Sequence, residues 1–393
     1  MSKINELIKE MCPNGVEFKK LEDCCNILDN KRKPISKGIR ERGEYPYYGA
    51  NGIQDYISDY IFDGKYVLVG EDGSVQTPNG TPIVNWAIGK IWVNNHAHII
   101  EEIDGVSLRY LYHYLQIVDV KDLIHGNIPK LNQSNFRNIK IAVPPLEVQE
   151  EIVKILDKFG ELEAELEAEL EARKSQYEFW RGKVFNRDKE TIVTLETIGD
   201  ITKLAGFEFS KYVHYSDEGN VIALRGLNVK NGHLVLDDVK YVDNSDFSKL
   251  NRSKLYENDI LYTYVGTVGQ VGLVDKNDKY YLAPNVARIR IFDKKVNPKY
   301  VMHFLLTAEF KINQLESLSG TSSMKNITMT NIRKFKIPVP SLQEQERVVN
   351  ILDKFDALVN DITEGIPAEI ELRRQQYEYY RNKLLSFEGF LNE

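Results

Sequence analysis

The chain has 393 residues, of which 42% are hydrophobic, and it carries a formal net charge of −7. That length predicts two or three domains, and the lack of any run of about 18 apolar residues excludes a membrane-spanning helix. Three cysteines without the spacing of metal ligands also exclude a disulfide framework and a zinc module. The sequence therefore predicts a cytoplasmic protein that binds no metal and contacts no membrane.

The net acidity argues at first against binding to nucleic acid. Most of it lies in two segments, residues 144–187 and 340–388, so the rest of the chain is close to neutral. Local basic patches can form in those remaining parts, and nucleic acid therefore stays among the candidate ligands.

The first part of the chain has the pattern of a mixed globule, in which glycines punctuate β-branched and aromatic residues. The segment "GKYVLVGEDGSV" (64–75) predicts a strand followed by a turn. The segment "WVNNHAHII" (92–100) follows, and "LRYLYHYLQ" (108–116) predicts a short helix.

Residues 144–187 predict one long helix, because apolar residues recur at steps of three and four as in a coiled-coil seam. The tetrapeptide ELEA occurs three times in succession at 161–172, and its residue types all favour helix. Prolines at the start suit a helix entry, and no helix breaker occurs before Gly182.

The ELEA leucines form one apolar stripe, for which the stripe from Ile351 to Ile370 is the expected cover. Glutamates four residues apart repel by about 0.2–0.5 kcal/mol per pair, whereas burial of a leucine contributes about 1.5–3 kcal/mol. The stripe therefore stabilises the helix only where a partner helix covers it. The glutamates either form a solvated face, or they repel nucleic acid from the helix or meet basic patches on a partner.

The second part of the chain repeats the first. "NDILYTYVGTVG" (258–269), "LAPNVARIR" (282–290) and "KYVMHFLLT" (299–307) take the places of the strand, middle segment and short helix. "PSLQEQERVVNILDKF" (340–355) matches "PPLEVQEEIVKILDKF" (144–159) at an offset of 196, and "RRQQYEYYRNKLL" (373–385) matches "RKSQYEFWRGKVF" (173–185) at an offset of 200. This is an internal duplication. In the second copy, Gly365 and Pro367 are expected to break the helix.

These patterns predict an α+β protein. Two α/β globules, related by an approximate twofold axis, are separated by two long antiparallel helices. The predicted domains are globule 1–143, helix 144–187, globule 188–339 and helix 340–393.

The sequence also resembles a known family. "CPNGVEFKKLED" (12–23), "GTSSMKNIT" (320–328), the ELEA run and the two "QYE" helix ends are similar to the DNA-specificity subunits of type I restriction–modification systems. The resemblance implies that each globule is a target-recognition domain that binds one half of a split double-stranded DNA site. It implies that the helices form a spacer and dock two methyltransferase subunits, and that a restriction subunit can join them. S-adenosylmethionine, ATP and Mg would bind those partners, and this chain would be non-catalytic.

On this interpretation the ELEA run sets a distance. One unit lengthens a helix by about 6 Å and rotates it about 40° past a full turn, while one DNA base pair advances about 3.4 Å and turns about 35°. We therefore expect the loss of one unit to change the spacer between the half-sites by about one base pair.

Candidate DNA contacts in the first globule come from a basic loop with adjacent tyrosines (29–52), from "VNNHAH" (93–98) and from "HGNIPKLNQSNF" (125–136). Cations bind phosphates, and asparagine and histidine can bond base edges. The alternatives are a solvated surface for the loop, structural histidines without further metal ligands, and a helix cap for the third segment. The candidates are Lys31, Arg32, Lys33, Lys37, Arg40, Tyr47, Tyr48, Asn51, Asn95, His96, His98 and Lys130.

In the second globule, the candidates lie in "ALRGLNVKNGHL" (223–234), in the glycine-rich turn "YTYVGTVGQVG" (262–272) and beyond it. The turn lacks the pattern of a nucleotide-phosphate loop. Because the loops of the two globules differ, the two half-sites should differ. The candidates are Arg225, Asn228, Lys230, Tyr264, Thr267, Gln270, Asn285, Arg288 and Lys325.

The repeated "QYE" ends suggest a docking surface for the methyltransferases at Tyr177, Trp180, Tyr377 and Tyr380, with packing of helix against helix as the alternative. Two other functions compete with the one implied by the resemblance. An enzyme is disfavoured because no methyltransferase tetrapeptide, cofactor loop or zinc pattern occurs. A coiled-coil scaffold that binds only proteins is the other, and the absence of sequence-selective DNA binding would favour it.

Overall fold

The computed structural model describes residues 2–73, 75–124, 127–185, 191–316, 326–361 and 363–387. The chain divides into two compact units. Unit 1 contains residues 1–167 and 369–393, and unit 2 contains residues 168–368. Among the described residues, no helix is both long and apolar enough to cross a membrane.

Unit 1 combines helices with two sheets. Its helices are α1 (Ser2–Met11), α2 (Leu108–Leu115), α3 (Gln133–Arg137) and the first part of α4 (Leu146–Val184). Its strands are β1 (Glu17–Lys20), β2 (Asn26–Ile27), β3 (Arg42–Gly49), β4 (Gly52–Ile57), β5 (Phe62–Gly70), β6 (Val84–Val93), β7 (Ala97–Glu101) and β8 (Lys140–Val143).

A six-stranded sheet in the order β2-β7-β5-β6-β3-β4 forms most of unit 1, and β1 pairs with β8 beside it. All pairs are antiparallel except β3 with β6. Val67 and Val69 of β5 face one buried cluster that also contains α2, whereas Leu68 faces another. Alternate residues of this central strand thus fill the cores on both faces of the sheet.

Unit 2 has more and shorter elements. Its helices are the rest of α4, α5 (Leu195–Ile198), α6 (Gly206–Tyr212), α7 (Pro298–Leu305), α8 (Ala308–Phe310), α9 (Met329–Arg333), α10 (Leu342–Asn360) and the start of α11 (Ile366–Leu385), most of which belongs to unit 1. Its strands are β9 (Thr191–Thr194), β10 (Gly199–Lys203), β11 (Ile222–Leu224), β12 (Val229–Lys230), β13 (His233–Leu234), β14 (Lys240–Tyr241), β15 (Ile260–Thr263), β16 (Val271–Leu273), β17 (Tyr280–Leu282), β18 (Val286–Ile291) and β19 (Lys336–Val339).

The strands of unit 2 form a four-stranded sheet in the order β10-β18-β15-β16 and a three-stranded sheet in the order β14-β11-β17. The pairs β12–β13 and β9–β19 are separate two-stranded sheets. The largest core of this unit packs Tyr262 and Ile289 of the four-stranded sheet with residues of α7 and α10. The α+β class predicted from the sequence is therefore confirmed, as are the strands near 64 and 260 and the short helices near 108 and 299.

In unit 1, α2 is fixed to α4 by polar contacts. Arg109 Nε and His113 Nε2 lie 2.8 and 2.7 Å from Asp157 Oδ1. Burial raises the pKa of Asp157, but the bonds from His113 and Arg109 outweigh it and hold that pKa below its usual range. The buried Gln149 accepts from the backbone N–H of Ser107 at 2.9 Å and donates to two carbonyl oxygens.

Unit 2 repeats this arrangement. Lys299 Nζ and His303 Nε2 lie 2.7 and 2.8 Å from the carboxylate of Asp353. The buried Gln345 accepts from the backbone N–H of Asn297 at 2.8 Å and donates to two carbonyl oxygens at 2.9 Å. Gln149 and Gln345, like Asp157 and Asp353, are 196 residues apart, which is the offset of the duplication. We call these matched contacts the duplicated frame.

The long helix α4 has 39 residues without a break, as predicted. The second helical segment is broken, also as predicted, between α10 and α11. A Cβ atom at Gly365 would lie 2.6 Å from the carbonyl oxygens of Ala357 and Asp361, so this turn requires glycine.

The ELEA glutamates take part in ion pairs within unit 1. Arg374 of α11 donates to Glu163 at 2.5 Å and to Glu167 at 2.7 Å, so it bridges two successive repeats of α4. Phe159 of α4 stacks on Tyr380 of α11 at 5.4 Å between ring centroids. Because later residues of α4 meet earlier residues of α11, the two helices are antiparallel here.

Candidate nucleic-acid and partner interfaces

In unit 1, two loops with predicted DNA contacts lie side by side. Because β3 and β6 are parallel and pair at Tyr48 and Val93, the segments that follow them emerge at the same place. Asn94 joins them, since its N–H donates to the carbonyl of Tyr48 at 3.0 Å and its amide donates to Gln54 at 3.3 Å. The exposed Asn51 and Asn95 therefore belong to one surface.

A buried polar cluster lies beneath that surface. His98 is wholly buried and stacks on Phe136, and its Nδ1 lies 2.6 Å from Asp29. Burial raises the pKa of Asp29, but the hydrogen bond and the charge of His98, together with Arg32, outweigh it and lower that pKa. Arg32 donates to Glu71 and to the carbonyl of Ala97, both at 2.6 Å.

These contacts correct two of the predicted site residues. His98 has no exposed surface, and Arg32 uses its guanidinium to hold the loop against the sheet. Asp29, Glu71 and His98 come close enough together to hold a metal ion. The Arg32 guanidinium lies 2.6 Å from Glu71 and 3.4 Å from Asp29. The positive charge of Arg32 therefore pairs with both carboxylates without a metal ion.

The basic loop divides into exposed and anchored residues. Lys31, Lys33 and Lys37 are exposed. Arg40 pairs with Asp55 at 3.3 Å and lies over the buried ring of Tyr47, 4.0 Å from its centroid. The three lysines therefore present their side chains to solvent, whereas Arg40 shapes the loop.

The two tyrosines of the same stretch are placed inside the unit, which is a correction. Tyr47 is 1% exposed and Tyr48 is 8% exposed. The hydroxyl of Tyr47 accepts from the N–H of Ile35 at 3.0 Å, so it supports the loop from below.

His96 and Lys130 meet at the edge of the same surface. Both are exposed, and both pair with Asp72, while Lys130 also lies 3.2 Å from Glu71. These carboxylates reduce the local positive charge, so a phosphate would have to compete with them.

One exposed group in unit 1 was missed from the sequence. Lys90 lies 4.7 Å from the ring centroid of Tyr60 and 5.9 Å from that of Tyr45. Cations and aromatic rings together are typical of nucleic-acid surfaces. Because side chains alternate along a strand, Lys90 and the exposed Ile88 lie on the same face of β6. This alternation could have identified Lys90 as an exposed residue from the sequence.

In unit 2, Asn228 and Arg288 are buried and structural, which corrects two further predictions. Asn228 donates to the carbonyls of Val235 and Asp238 at 2.8 and 2.7 Å. Arg288 is 5% exposed and pairs with Asp200.

Arg225 is half-buried, and its guanidinium pairs with Asp238 at 2.7 Å. It therefore holds its own loop, while Lys230 on the neighbouring strand β12 is exposed.

The glycine-rich turn of unit 2 forms a compact polar surface. The hydroxyl of Thr263 donates to the carbonyl of Thr267 at 2.5 Å and accepts from the N–H of Gln270 at 2.9 Å. The N–H of Tyr264 bonds the carbonyl of Asn285, which brings these two segments together. Thr267 and Asn285 are exposed, and Tyr264 and Gln270 are half-buried. Lys325 lies outside the described residues.

Three of the four predicted docking aromatics pack inside their own unit. Tyr177 is 3% exposed and stacks on Phe355. Tyr377 bonds His113 at 3.0 Å, and Tyr380 stacks on Phe159. Helix packing, the stated alternative, describes these three residues.

The exposed aromatics of the helix ends are the fourth, Trp180, and two residues that were missed. Phe179 is 61% exposed and Tyr379 is 59% exposed, and they are equivalent in the duplication. Lys183 lies over Phe179 and Trp180, and Lys383 lies over Tyr379. Phe179 and Tyr379 lie outside the three-and-four spacing of the apolar seam, and this position in the sequence could have indicated that they are exposed. We call Phe179, Trp180 and Lys183 the unit 2 aromatic patch, and Tyr379 and Lys383 the unit 1 aromatic patch.

A duplicated frame, two unlike sheets with polar loops and two matched aromatic patches define a two-unit α+β binding protein. Residues 13–172 and 189–372 match the type I restriction modification DNA specificity domain. The chain therefore belongs to that family.

Two relatives support this assignment. S.HindORF215P of Haemophilus influenzae, by name a type I restriction enzyme specificity subunit, is 36% identical over 95% of this chain and 96% of its own. The EcoR124I/EcoR124II specificity subunit of Escherichia coli is 33% identical over 71% of each chain.

Two solved structures share the fold at 14% identity. The S subunit of a type I system from M. genitalium has a TM-score of 0.55, with 94% of this chain and 96% of that chain covered. A chain from a type I R-M system studied for complex assembly and conformational transition has a TM-score of 0.60, with 95% and 98% covered.

Proposed function

We propose that this chain is the non-catalytic DNA-recognition subunit of a type I restriction–modification complex. Each unit binds one half of a split double-stranded DNA site, and the helices set the spacer between the halves. The observation that carries this proposal is the duplicated frame with different sheets and loops in the two units. Two equivalent frames can each hold one DNA-binding surface against one half-site. Loops that differ between the units can contact different bases in each half.

Exposed and half-buried residues of the two loop surfaces are the proposed DNA contacts. In unit 1 they are Lys31, Lys33, Lys37, Asn51, Asn95, His96 and Lys130, with Lys90 added from the structure. In unit 2 they are the exposed Lys230, Thr267 and Asn285 and the half-buried Tyr264 and Gln270. The lysines bind phosphates, and the amides and hydroxyls bond base edges. Lys325 stays a prediction from the sequence.

The two aromatic patches support two docking sites for methyltransferase subunits, one in each unit. Exposed aromatic side chains are enriched where proteins bind each other. S-adenosylmethionine binds these methyltransferases, and ATP and Mg bind restriction subunits in complexes that contain them. The complex works in the cytoplasm, where its DNA is.

Sequencing of methylated bases tests the function directly. DNA from cells that express this chain with its methyltransferase should contain methyladenine in both halves of one split, asymmetric motif. Cells with the methyltransferase alone provide the control. Identical methylation in both cell types, together with no selective DNA binding by the purified complex, would contradict the proposal and favour a protein-only scaffold.

Docking is tested by assembly. Phe179→Ala with Trp180→Ala should remove one methyltransferase from the complex and leave the second bound, because the unit 1 aromatic patch is intact. Mass photometry measures the stoichiometry. Tyr56→Ala is the control, since Tyr56 is 50% exposed on strand β4 and belongs to neither patch. Normal assembly of the double variant would show that its patch has another role.

A further inference from the structure

A pocket of about 640 Å³ lies within unit 2 and belongs to neither proposed interface. Residues of α7, α10 and the β12–β13 hairpin line it, together with Tyr177 of α4. Leu273, Met302 and Leu306 give it an apolar side. Its volume is in the range of small-molecule sites.

The polar side of the pocket is acidic. Its lining contains five carboxylates, of Glu257, Asp275, Asp353, Asp356 and Asp361, and one lysine, Lys299.

Some of these carboxylates already have partners inside the unit. Asp353 pairs with Lys299 and His303, and Asp356 lies 2.7 Å from His233. Within the described parts of the chain, the exposed carboxylate of Glu257 takes part in no ion pair. The pocket therefore keeps a negative charge that is not neutralised.

A second observation is the state of His303, which lines the pocket and is 2% exposed. Its Nε2 faces the Asp353 carboxylate at 2.8 Å and therefore donates its proton there. Its buried Nδ1 has no hydrogen-bond partner in the described part of the chain. Burial lowers the pKa of His303, which favours the neutral ring, in which Nδ1 is an acceptor.

In unit 1 a tyrosine hydroxyl lies beside the equivalent atom. There, Nδ1 of His113 lies 3.0 Å from the hydroxyl of Tyr377. The equivalent tyrosine in unit 2 is Tyr177, but its hydroxyl donates to Asp356 at 3.2 Å. The residue of unit 1 that corresponds to Asp356 is Gly160, which has no side chain to attract the tyrosine. Asp356 thus removes from Nδ1 of His303 the tyrosine hydroxyl that lies beside the equivalent atom in unit 1.

We propose that this pocket binds an organic cation, an ammonium or guanidinium group carried on an apolar stem. An N–H of the cation donates to Nδ1 of His303, the carboxylate of Glu257 supplies charge, and the stem packs on Met302 and Leu306. Free polyamines and the arginine or lysine side chains of bound proteins share this chemistry. None of the proposed DNA contacts lines this pocket.

Isothermal titration of the full chain with spermidine and with N-acetylarginine amide tests this inference. At least one probe should bind saturably, with one site per chain. Spermidine alone indicates a free polyamine, and the arginine compound alone indicates a protein side chain. If neither probe binds, the proposal is wrong.

Two matched variants separate the pocket from general attraction to an acidic protein. Glu257→Gln should weaken binding about tenfold, as expected for the loss of one charged contact. Glu346→Gln removes the same charge from an exposed position of α10 outside the pocket lining and should leave the affinity unchanged. Equal weakening by both variants would overturn the inference.

Nitrogen NMR of labelled histidines locates the ligand. The Nδ1 signal of His303 should move when the probe binds, whereas that of His113, already bonded by Tyr377, should stay in place. A probe that binds without moving the His303 signal would exclude the assignment. Leu236→Trp, which fills the pocket from an exposed position of its rim, should abolish both the heat signal and the shift.

Discussion

Unit 1 and unit 2 fix their short helices to the long ones by the same contacts, but they build different sheets. Gln149 and Gln345 each hold three backbone groups, and Asp157 and Asp353 each hold a histidine and a cation. Beyond the frame, unit 1 has one sheet of six strands, whereas unit 2 divides its strands among smaller sheets. The duplication has kept the contacts that fix the helices and has changed the sheets and loops that carry the proposed DNA contacts.

The largest expected effect comes from the helix that both units share. Deletion of residues 165–168 removes one ELEA unit and should abolish methylation at the original motif, because the spacer changes by about one base pair. The sequence of each half-site should be unchanged, since the deletion alters no loop. Methylome sequencing of the deletion strain measures both. An altered half-site would contradict the role of the repeat as a spacer.

The frame should be equally important in both units. Gln149→Leu and Gln345→Leu should each lower the free energy of unfolding by about 3 kcal/mol, because each leaves buried backbone groups without a partner. Urea unfolding measures the effect. Gln343→Leu, at an exposed position of α10, should change it by less than about 0.5 kcal/mol. A large loss in one unit alone would show that the two frames have diverged.

The unit 1 loop should affect only one half of the DNA site. Replacement of Lys31, Lys33 and Lys37 by alanine should lower DNA affinity about tenfold and reduce its salt dependence by up to about three phosphate contacts. Fluorescence anisotropy of the methyltransferase complex at several salt concentrations measures both quantities. Base preference in the other half-site should remain as it is.

The control for this experiment removes the same charge elsewhere in unit 1. Lys9, Lys140 and Lys154 are exposed but lie outside the proposed loops, and their triple alanine variant should bind DNA nearly as tightly as the original chain. Equal losses from both triple variants would mean that net charge, and not the loop, controls affinity.

The smallest expected effect is the pH dependence of the His233–Asp356 pair, for which unit 1 has Gly160 at the place of Asp356. Its hydrogen bond to Asp356 raises the pKa of His233, and the bond from His233, against the effect of burial, lowers the pKa of Asp356. The pair therefore stabilises the folded chain from above the lowered pKa of Asp356 up to the raised pKa of His233. Its contribution is lost as pH rises through the upper value or falls through the lower.

The substitution His233→Gln should therefore reduce stability by less than about 1 kcal/mol near pH 5.5 and have no effect near pH 9. The value is small because the His233 side chain is half exposed. Thermal unfolding across this pH range measures the difference. A constant difference at all pH values would assign the effect to packing instead of charge.

Periodic and repeated features were predictable from the sequence. The spacing of apolar residues at three and four positions predicted α4, and Gly365 predicted the helix break. The sequence offset of 196 between the two copies relates the residues of the two frames. These signals are local or repetitive, so one chain suffices to find them.

Burial of the site residues was not predictable, because it depends on which distant segments meet. His98 is buried by contacts with Asp29 and Leu131, and nothing near "VNNHAH" indicates either partner. Tyr177 and Phe179 are two residues apart, yet one faces the core and the other solvent. The strict alternation of strands and the turn of a helix fix such choices only once the neighbouring elements are known.

The contact of Arg374 with Glu163 and Glu167 affects how the protein tolerates a change in the length of α4. The glutamates recur every four residues, so removal of one ELEA unit brings Glu171 to the place of Glu167 and offers Arg374 the same pair of oxygens. No compensating substitution is required on α11. The helix can thus gain or lose a unit in a single genetic event without giving up this interhelical ion pair.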